Sequence, residues 1–365
     1  MVSKKILILF ILLFPASIVF AQEYSFNDAN WEFSDEYAVE DYKGQESLNL
    51  KKGYAKLKNT TFENGIIEVD IAIPNNRSFP GVGFRVVDEQ NFEEFYVRPH
   101  QSGNPDATQY TPVFNGLAGW QLYHGDGYSG QIVFDFDEWM HLKIVISGQK
   151  GEVYLKDMEK PFLVIHQLKR DQIKGGIAFI APARFANLKI IPNDSPALKG
   201  EFNAIPVPED GTITEWSVSS EFDEKLLANL TEMKEEFSQK FDWTILNCEN
   251  SGLANVAKIS QIGEGSNSVL VKQNISSTTD QIKALKIGFS DRVKFYCNGQ
   301  VLFSGQDGFR SRDYRYLGTI GYFDTVYLPL KKGNNEIVIA LSESFGGWGI
   351  KAKFENMDGI KIKEN

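Results

Sequence analysis

Cysteine and histidine are scarce in this sequence, which has two of the first and four of the second among 365 residues. Two cysteines cannot build a disulfide framework. Cys248 and Cys297 each lie on the apolar side of an alternating run, which leaves two alternatives open. They pack as small apolar side chains, or they form one disulfide in an oxidising compartment. The histidines show no His-Glu-x-x-His or other metal-ligand spacing, so no zinc site is predicted.

Motifs of common enzymes and of nucleic-acid-binding proteins are also missing. There is no Gly-x-Ser-x-Gly elbow, and the glycine-rich segment 345–349 leads to no predicted helix, as a phosphate-binding loop would. Lysine and arginine form no block, and the formal net charge is −10. An acidic chain without basic patches is not expected to bind nucleic acid through its phosphates. The charge is compatible with neutral or weakly charged glycans.

Long apolar runs are limited to the start of the chain. Two lysines precede the apolar run 6–14, and Val19-Phe20-Ala21 fits a small-residue cleavage site. Residues 1–21 are therefore predicted to be a signal peptide. The run is short for a bilayer span and no second long run follows, so no transmembrane segment is predicted. The expected product is secreted or periplasmic.

Helix signals are few, and aromatic residues make up 13% of the sequence, which favours β-structure. Short alternating runs such as 65–73, 81–87 and 140–147 recur between turn signals, as in antiparallel sandwiches and jelly rolls. We predict an all-β fold of two consecutive antiparallel β-sandwich (jelly-roll) domains, with one short helix in the second. The domains are expected at 22–192 and 212–365, joined by a proline-containing linker at 193–211.

Two local patterns stand out in the second half. Phe222–Phe237 keeps roughly helical spacing of its apolar residues and is the one predicted helix. Asn298-Gly299 lies between two alternating runs and is the strongest hairpin signal in the chain.

The stretch Phe92–Tyr123 is the main candidate for a binding site. Phe95 and Val97 alternate with Glu94, Tyr96 and Arg98, and the strand is followed by a loop rich in amides and aromatic rings. Such groups on a rigid strand suit a sugar, whose hydroxyls need donors and acceptors and whose faces need aromatic platforms. The alternative is an ordinary polar loop with aromatic residues in the core. The ligand-binding candidates are Arg85, Tyr96, Arg98, His100, Gln101, Asn115, Trp120 and Tyr123.

Charged residues also alternate along two neighbouring strand patterns. Glu68 and Asp70 are expected on the polar side of one, and Arg85 on the polar side of the other. Glu68 and Asp70 could pair with Arg85 and Arg98 in purely structural ion pairs.

The segment 307–314 in the second half is a dense polar and aromatic loop. With Trp348 it suggests a second contact with a sugar or a protein partner, and a contact between the two domains is the alternative. The second-domain candidates are Arg310, Arg312, Tyr314 and Trp348.

The first half resembles the concanavalin A-like lectin/glucanase superfamily, including laminin-G-like domains of secreted bacterial proteins. The resemblance covers about residues 24–192 and lies in FENGIIEVDIAI, GVGFRVVDEQNFEEFYVRP, EWMHLKIVISGQKGEVYLKD and GGIAFIAPARFANLKI. It implies a two-sheet jelly roll whose concave face or rim loops bind carbohydrate. The second half, about 211–362, resembles galactose-binding-like jelly rolls through RVKFYCNGQVLFSG and TVYLPLKKGNNEIVIALSESFGGWGIKAKFEN.

The resemblance to glucanases does not extend to their catalytic pattern. Laminarinase-type members carry Glu-x-Asp-x-x-Glu, and Glu68-Val69-Asp70 is followed by Ile73 where the last acid belongs. Structural calcium is compatible with both resemblances, and 135–138 (Asp-Phe-Asp-Glu) is the best acidic loop, although it lacks EF-hand spacing. No other cofactor is predicted.

Three hypotheses follow. The first is a secreted, non-catalytic carbohydrate-binding protein with its site on the first sandwich. The second is a glycan hydrolase or lyase that uses Glu68, Asp70 or His100 as acid or base. The third is a protein-interaction module in which the loop around Arg310–Tyr314 of the second domain holds the partner.

Overall fold

A computed structural model describes residues 22–26, 29–171 and 174–363. About 49% of it is strand and 4% is helix, arranged in antiparallel sheets, which confirms the all-β sandwich prediction. The predicted signal peptide at residues 1–21 lies outside the described residues.

The described residues up to Pro192 contain strands of two to ten residues and one short 3₁₀ helix at Pro99–Gln101. The strands are β1 (Gln22–Glu23), β2 (Trp31–Phe33), β3 (Tyr37–Tyr42), β4 (Gln45–Leu50), β5 (Tyr54–Leu57), β6 (Gly65–Ala72), β7 (Gly81–Asp88), β8 (Asn91–Val97), β9 (Thr108–Phe114), β10 (Leu117–Ala118), β11 (Ser129–Gly130), β12 (Met140–Ser147), β13 (Lys150–Leu155), β14 (Leu163–Ile165), β15 (Gly176–Ile180) and β16 (Ala183–Pro192).

These strands form two antiparallel sheets that enclose one core. One sheet has the order β14-β13-β12-β6-β16-β4-β3 with β1 beside β16, and the other has the order β10-β9-β8-β7-β15-β5-β2 with β11 beside β9. Alternate residues of both sheets, such as Ile67, Phe84 and Phe95, are buried between them. The opposite face of β8 is therefore left for other contacts.

The described residues after Pro192 contain strands, two short 3₁₀ helices and one α-helix. The strands are β17 (Glu215–Ser219), β18 (Trp243–Asn247), β19 (Ala254–Asn255), β20 (Ser268–Ser277), β21 (Gln281–Ser290), β22 (Arg292–Cys297), β23 (Gln300–Gln306), β24 (Asp324–Leu330), β25 (Gly333–Ser342), β26 (Gly349–Phe354) and β27 (Ile360–Ile362). The 3₁₀ helices are Glu224–Leu227 and Val256–Lys258, and the α-helix α1 is Glu235–Ser238.

This second set also makes two sheets around one core. The larger sheet has the order β18-β17-β20-β25-β22-β23 with β27 beside β20, and the smaller has the order β19-β26-β21-β24. Trp216, Phe295 and Ile350 are buried between them. Asn298-Gly299 turns β22 into β23 with φ of 49° and 81°, so the predicted hairpin is confirmed.

The predicted continuous helix over Phe222–Phe237 is wrong in extent. Only Glu224–Leu227 and Glu235–Ser238 are helical, because the chain between them pairs with the β22–β23 hairpin. The Met233 amide donates to Gly299 O and the Thr231 carbonyl accepts from Val301 N, so this backbone is not available for a helical ladder. The apolar side chains pack on the larger sheet instead.

A disulfide between Cys248 and Cys297 is absent, since both thiols are free. Cys297 is buried in the second core, as the alternative interpretation expected. Burial raises the pKa of Cys297 to about 11, so the thiol is protonated at neutral pH.

The two sandwiches dock through the first sandwich's loop after β10. Gln121 is fully buried there, and its amide donates to Gly346 O at 2.8 Å while its carbonyl accepts from Ile320 N at 2.9 Å. Its side chain donates to Leu317 O at 2.9 Å. A Cβ on Gly346 would come within 2.2 Å of the Gln121 side chain, so this close approach requires glycine.

A buried ion-pair network reinforces this docking. Glu249 of the second sandwich is 3.0 Å from Lys169 of the first and 3.2 Å from Lys258. Burial by itself raises the pKa of Glu249, but the two lysine charges outweigh it and the pKa is lowered. The carboxylate is thus charged and paired across the interface.

Candidate functional site

The two sandwiches leave a cleft of about 890 Å³ between them, which we call the interdomain cleft. Its first wall belongs to the first sandwich and its second wall to the second. The first wall is lined by Arg77, Phe79, Glu94, Tyr96, Arg98, His100, Gln101, Pro105, Asp106, Ala118 and Trp120. The second wall is lined by Phe309, Arg310, Tyr314, Arg315, Leu317 and Phe345.

Strand β8 supplies the floor of the cleft. Phe95 and Val97 point into the first core, so Glu94, Tyr96 and Arg98 share the opposite face, as the alternation predicts. All three are less than a tenth exposed, although they reach the cleft.

Arg98 is fixed in place by a network of hydrogen bonds and rings. Its guanidinium donates to Tyr96 Oη at 2.6 Å, to Asp106 O at 2.9 Å and to the Gln109 side-chain oxygen. It lies 5.1 Å from the centroid of the Tyr96 ring and 5.9 Å from that of Trp120. Stacked and multiply bonded in this way, it is a preorganised cation at the base of the cleft.

Aromatic rings stand on both sides of this arginine. Phe79 packs edge-on against Tyr96 and His100, with centroids 6.1 and 5.4 Å apart. Trp120 contacts two rings of the second sandwich, Phe309 and Phe345, each at 6.1 Å. Phe79 and Phe345 are 44% and 48% exposed, so the rings offer apolar surface to a ligand rather than filling a core.

Glu94 is the residue that sequence reasoning missed. It is 9% exposed, and no hydrogen bond or ion pair of its carboxyl occurs among the described residues. Desolvation raises its pKa to about 8, so it is largely a neutral acid at pH 7. A buried polar group without a protein partner is costly unless a ligand or solvent pairs with it. Its place two residues before Tyr96 puts it on the same face of the strand, and this alternation could have added Glu94 to the binding candidates.

His100 and Gln101 also reach the cleft, as predicted. Burial and the charges of Arg77 and Arg98 lower the pKa of His100, which keeps its imidazole neutral at pH 7. Of the second-domain candidates, Arg310 and Tyr314 line the cleft. Arg312 does not, because it pairs with Asp307 at 2.8 Å and with Asp324 at 3.3 Å.

The prediction that Arg85 faces solvent is wrong. A bulge breaks the β7 register between Phe84 and Asp88 and places Arg85 at φ 50°. Its side chain is fully buried and donates to Glu63 O at 2.8 Å and to Gly148 O at 2.7 Å. It therefore holds loops together, away from the interdomain cleft.

Three further candidates are engaged in contacts within the protein. Tyr123 is 1% exposed, and its hydroxyl donates to Glu249 at 2.5 Å across the domain interface. Asn115 donates to Ala257 O at 2.9 Å in the same interface. Trp348 is fully buried in the second core. Their residue types suit a sugar, but these positions are occupied by protein contacts.

Glu68 and Asp70 lie on β6, in the other sheet of the first sandwich. Asp70 is 2.7 Å from His141 Nδ1 and accepts from Asn187 at 2.7 Å. The partners of Asp70 are therefore His141 and Asn187, and not Arg85 or Arg98 as the structural alternative allowed. The fold does not bring these two acids together with His100.

Metal-binding and membrane-spanning features are not found in the part of the chain that the structure describes. No group of three or more His, Cys, Asp or Glu side chains there is arranged to hold a metal ion. In the 135–138 loop, Asp135 pairs with Lys156 at 3.1 Å and Glu138 with Lys43. No helix of the described residues is long and apolar enough to cross a membrane.

A second cavity, of about 800 Å³, lies on the second sandwich. The described residues that line it include no aromatic side chain, and its charged pair, Glu224 and Arg292, is joined at 2.7 Å. The interdomain cleft is thus the better candidate for a ligand site.

Comparison with known proteins gives remote structural likenesses. No family model matches the chain, and no curated protein matches it. Carbohydrate-binding module CBM66 from Bacillus subtilis is 18% identical over 44% of this chain and 95% of its own, with a TM-score of 0.34. A Bacillus subtilis protein of unknown function with a galectin-like fold is 11% identical over 45% of this chain and 91% of its own, with a TM-score of 0.33. Bacillus licheniformis β-glucanase is 13% identical over 49% of this chain and 99% of its own, with a TM-score of 0.31. Likenesses of this level assign neither family nor activity.

Proposed function

We propose that this protein binds a carbohydrate in the interdomain cleft. The observation that carries the proposal is the pairing of exposed rings with fixed polar groups in one concave site. Trp120 of the first wall contacts Phe309 and Phe345 of the second wall, beside the hydrogen-bonded Arg98. Sugars present apolar ring faces edged by hydroxyls, and such a site offers both surfaces at once.

The proposed site differs from the sequence-based expectation, which placed it on the first sandwich alone. Residues of the second sandwich complete the aromatic wall, so binding requires the docked pair. Because the docking contacts are buried and hydrogen-bonded, the two walls are held in register before a ligand arrives.

The test is calorimetric titration with glycans selected on an array, using the unmodified protein and Phe79→Ala. Phe79 contributes an exposed ring, and its ring contacts among the described residues are with Tyr96 and His100 of the first sandwich. We expect a loss of about 2 kcal/mol, or roughly thirtyfold in affinity, as for a binding hot spot. Trp120→Ala is expected to weaken binding at least as much.

Trp139→Ala is the matched control. Like Trp120, this tryptophan is part-buried, but it lies outside the cleft and donates to Tyr42 O. Equal affinity of the Phe79→Ala, Trp139→Ala and unmodified proteins would contradict the proposed site. Unfolding temperatures of all variants separate lost binding from lost folding.

Glycan hydrolysis is a second candidate function, and Glu94 is the observation that favours it. A buried carboxyl that keeps its proton near neutral pH is what a general acid requires. The other acid in the cleft, Asp106, is 3.4 Å from Arg98 and is the available second carboxylate. Turnover on the bound glycan that disappears in Glu94→Gln, with binding retained, would support this alternative over binding alone.

A further inference from the structure

We propose that the carbohydrate taken by the interdomain cleft is anionic and carries carboxylate or sulfate groups. This inference rests on the proposed function and specifies its ligand class. It goes against the overall charge of the chain, which suggested neutral or weakly charged glycans.

Arginine is concentrated in the cleft. Four of the chain's nine arginines line it, whereas none of its lysines does among the residues that the structure describes. Lysine is the commoner of the two in this sequence, so a general excess of basic residues does not explain the pattern. Arginine's planar fork matches carboxylate and sulfate oxygens, which a point charge does less specifically. The four are Arg77, Arg98, Arg310 and Arg315.

Two of these arginines have no acidic partner. The guanidinium groups of Arg77 and Arg310 make no ion pair or hydrogen bond within the described residues, although the chain carries 48 acids against 38 lysines and arginines. Arg310 lies over the ring of Phe309 at 4.9 Å, which orients the guanidinium at the second wall. Arg315 has a partner, the exposed Asp313 at 3.4 Å. Free cations on both walls therefore face one space.

The acids of the cleft do not neutralise this charge. Asp106 is already paired with Arg98 at 3.4 Å. Glu94 carries little charge at pH 7, because desolvation raises its pKa to about 8. As a neutral acid it donates a hydrogen bond, and an anionic ligand oxygen is a suitable acceptor. The buried group without a protein partner thus also fits an anion.

The shape of the site favours a saccharide over a protein surface. Arginine and aromatic residues are common at protein interfaces too. However, a concave site of about 890 Å³ with rings on both walls encloses a few sugar units, whereas standard protein interfaces are broad and flat.

The test compares ligands that share one sugar backbone and differ in charge. Calorimetry at low salt is done with oligogalacturonate and its methyl ester, which removes the carboxylate charge from the same sugar. We expect the ester to bind at least about tenfold more weakly, the loss of one charge-assisted contact. Chondroitin sulfate against unsulfated chondroitin distinguishes sulfate from carboxylate as the recognised group. Poly-glutamate, an anion without a sugar, is the third arm.

The double variant Arg77→Gln/Arg310→Gln is expected to abolish the preference for the charged form while keeping weak binding through the rings. Arg184→Gln is the control for a single arginine charge lost outside the cleft, where Arg184 pairs with Glu40 at 3.1 Å. It should leave the preference intact.

The outcomes separate this inference from the function beneath it. Ring-dependent binding of glycans without preference for charge, or unchanged in the double variant, overturns the inference and leaves the proposed function in place. Poly-glutamate binding as tightly as oligogalacturonate, with the same dependence on arginine, overturns the assignment to a saccharide. No binding of any glycan, charged or neutral, overturns both.

Discussion

Replacing Glu94 by glutamine is expected to stabilise the protein in alkaline solution and to change little in acid. Desolvation raises the pKa of Glu94 from its usual 4.5 to about 8. Between these values the unfolded chain releases a proton that the folded protein retains, so stability falls as the pH rises. Each pKa unit corresponds to about 1.4 kcal/mol, so the full effect is ~5 kcal/mol above pH 8. Glutamine is uncharged throughout and removes it.

The assay is urea denaturation at pH 5, 7 and 9, followed by tryptophan fluorescence. Glu93, Asp291 and Glu343 also have pKa values raised by burial, and they titrate in both proteins. The measurement is therefore the difference between the variant and the unmodified protein. We expect that difference to be small at pH 5 and to reach several kcal/mol at pH 9.

Asp70→Asn is a control of opposite sign. Burial opposes ionisation of Asp70, but its contacts with His141 and Asn187 outweigh this and lower its pKa. Its stabilising contribution is present above the unfolded pKa and is lost in acid, so the cost of the variant should shrink as the pH falls. Parallel pH profiles for Glu94→Gln and the unmodified protein between pH 5 and 9 would refute the assignment of Glu94 as a desolvated acid.

Three further predictions concern the interface and the core. Glu249→Gln leaves Lys169 buried without its charged partner and should reduce the free energy of docking between the sandwiches by about 3–5 kcal/mol. The two sandwiches should then unfold in separate transitions, and a single unchanged transition would contradict this. Gly346→Ala places a methyl against the first sandwich and should abolish cleft binding while the second sandwich keeps its own transition; normal binding would show that the interface yields. Cys248 and Cys297 should react with a thiol reagent only when the chain is unfolded, and without prior reduction. Both thiols are free, and burial raises their pKa values to about 12 and 11. If the unreduced, unfolded chain had no reactive thiol, the two cysteines would form a disulfide.

The local sequence was enough to predict features that follow from strand geometry. Alternation along β8 placed Tyr96 and Arg98 on one face opposite Phe95 because the period of a strand is two. The Asn298-Gly299 hairpin followed from the need for positive φ at both turn positions. Such predictions depend on the nearest neighbours in the chain alone.

Other positions depended on contacts that no local pattern contains. The alternation of the sequence predicts an outward-facing Arg85, but a bulge in β7 turns its side chain into the protein. Tyr123 and Trp348 are aromatic residues in glycine-rich polar loops, as a sugar platform would be, and only docking and core packing determine that they are buried. Glu94 had the opposite problem. An acid on an alternating strand is normally solvated, and only the folded structure shows that Glu94 is buried at the floor of the interdomain cleft.

The convergence of two separate sets of candidates is the strongest support for the interdomain cleft. Arg98 and Trp120 were selected for their residue types in the first half, and Arg310 and Tyr314 for theirs in the second, with no expectation that they meet. The fold brings all four to one cavity. A contact between domains was the alternative for the second set, and both descriptions hold, because the interface itself encloses the cavity. If ligand binding needs both walls, separating the sandwiches must remove it, whereas a site on either sandwich alone would survive.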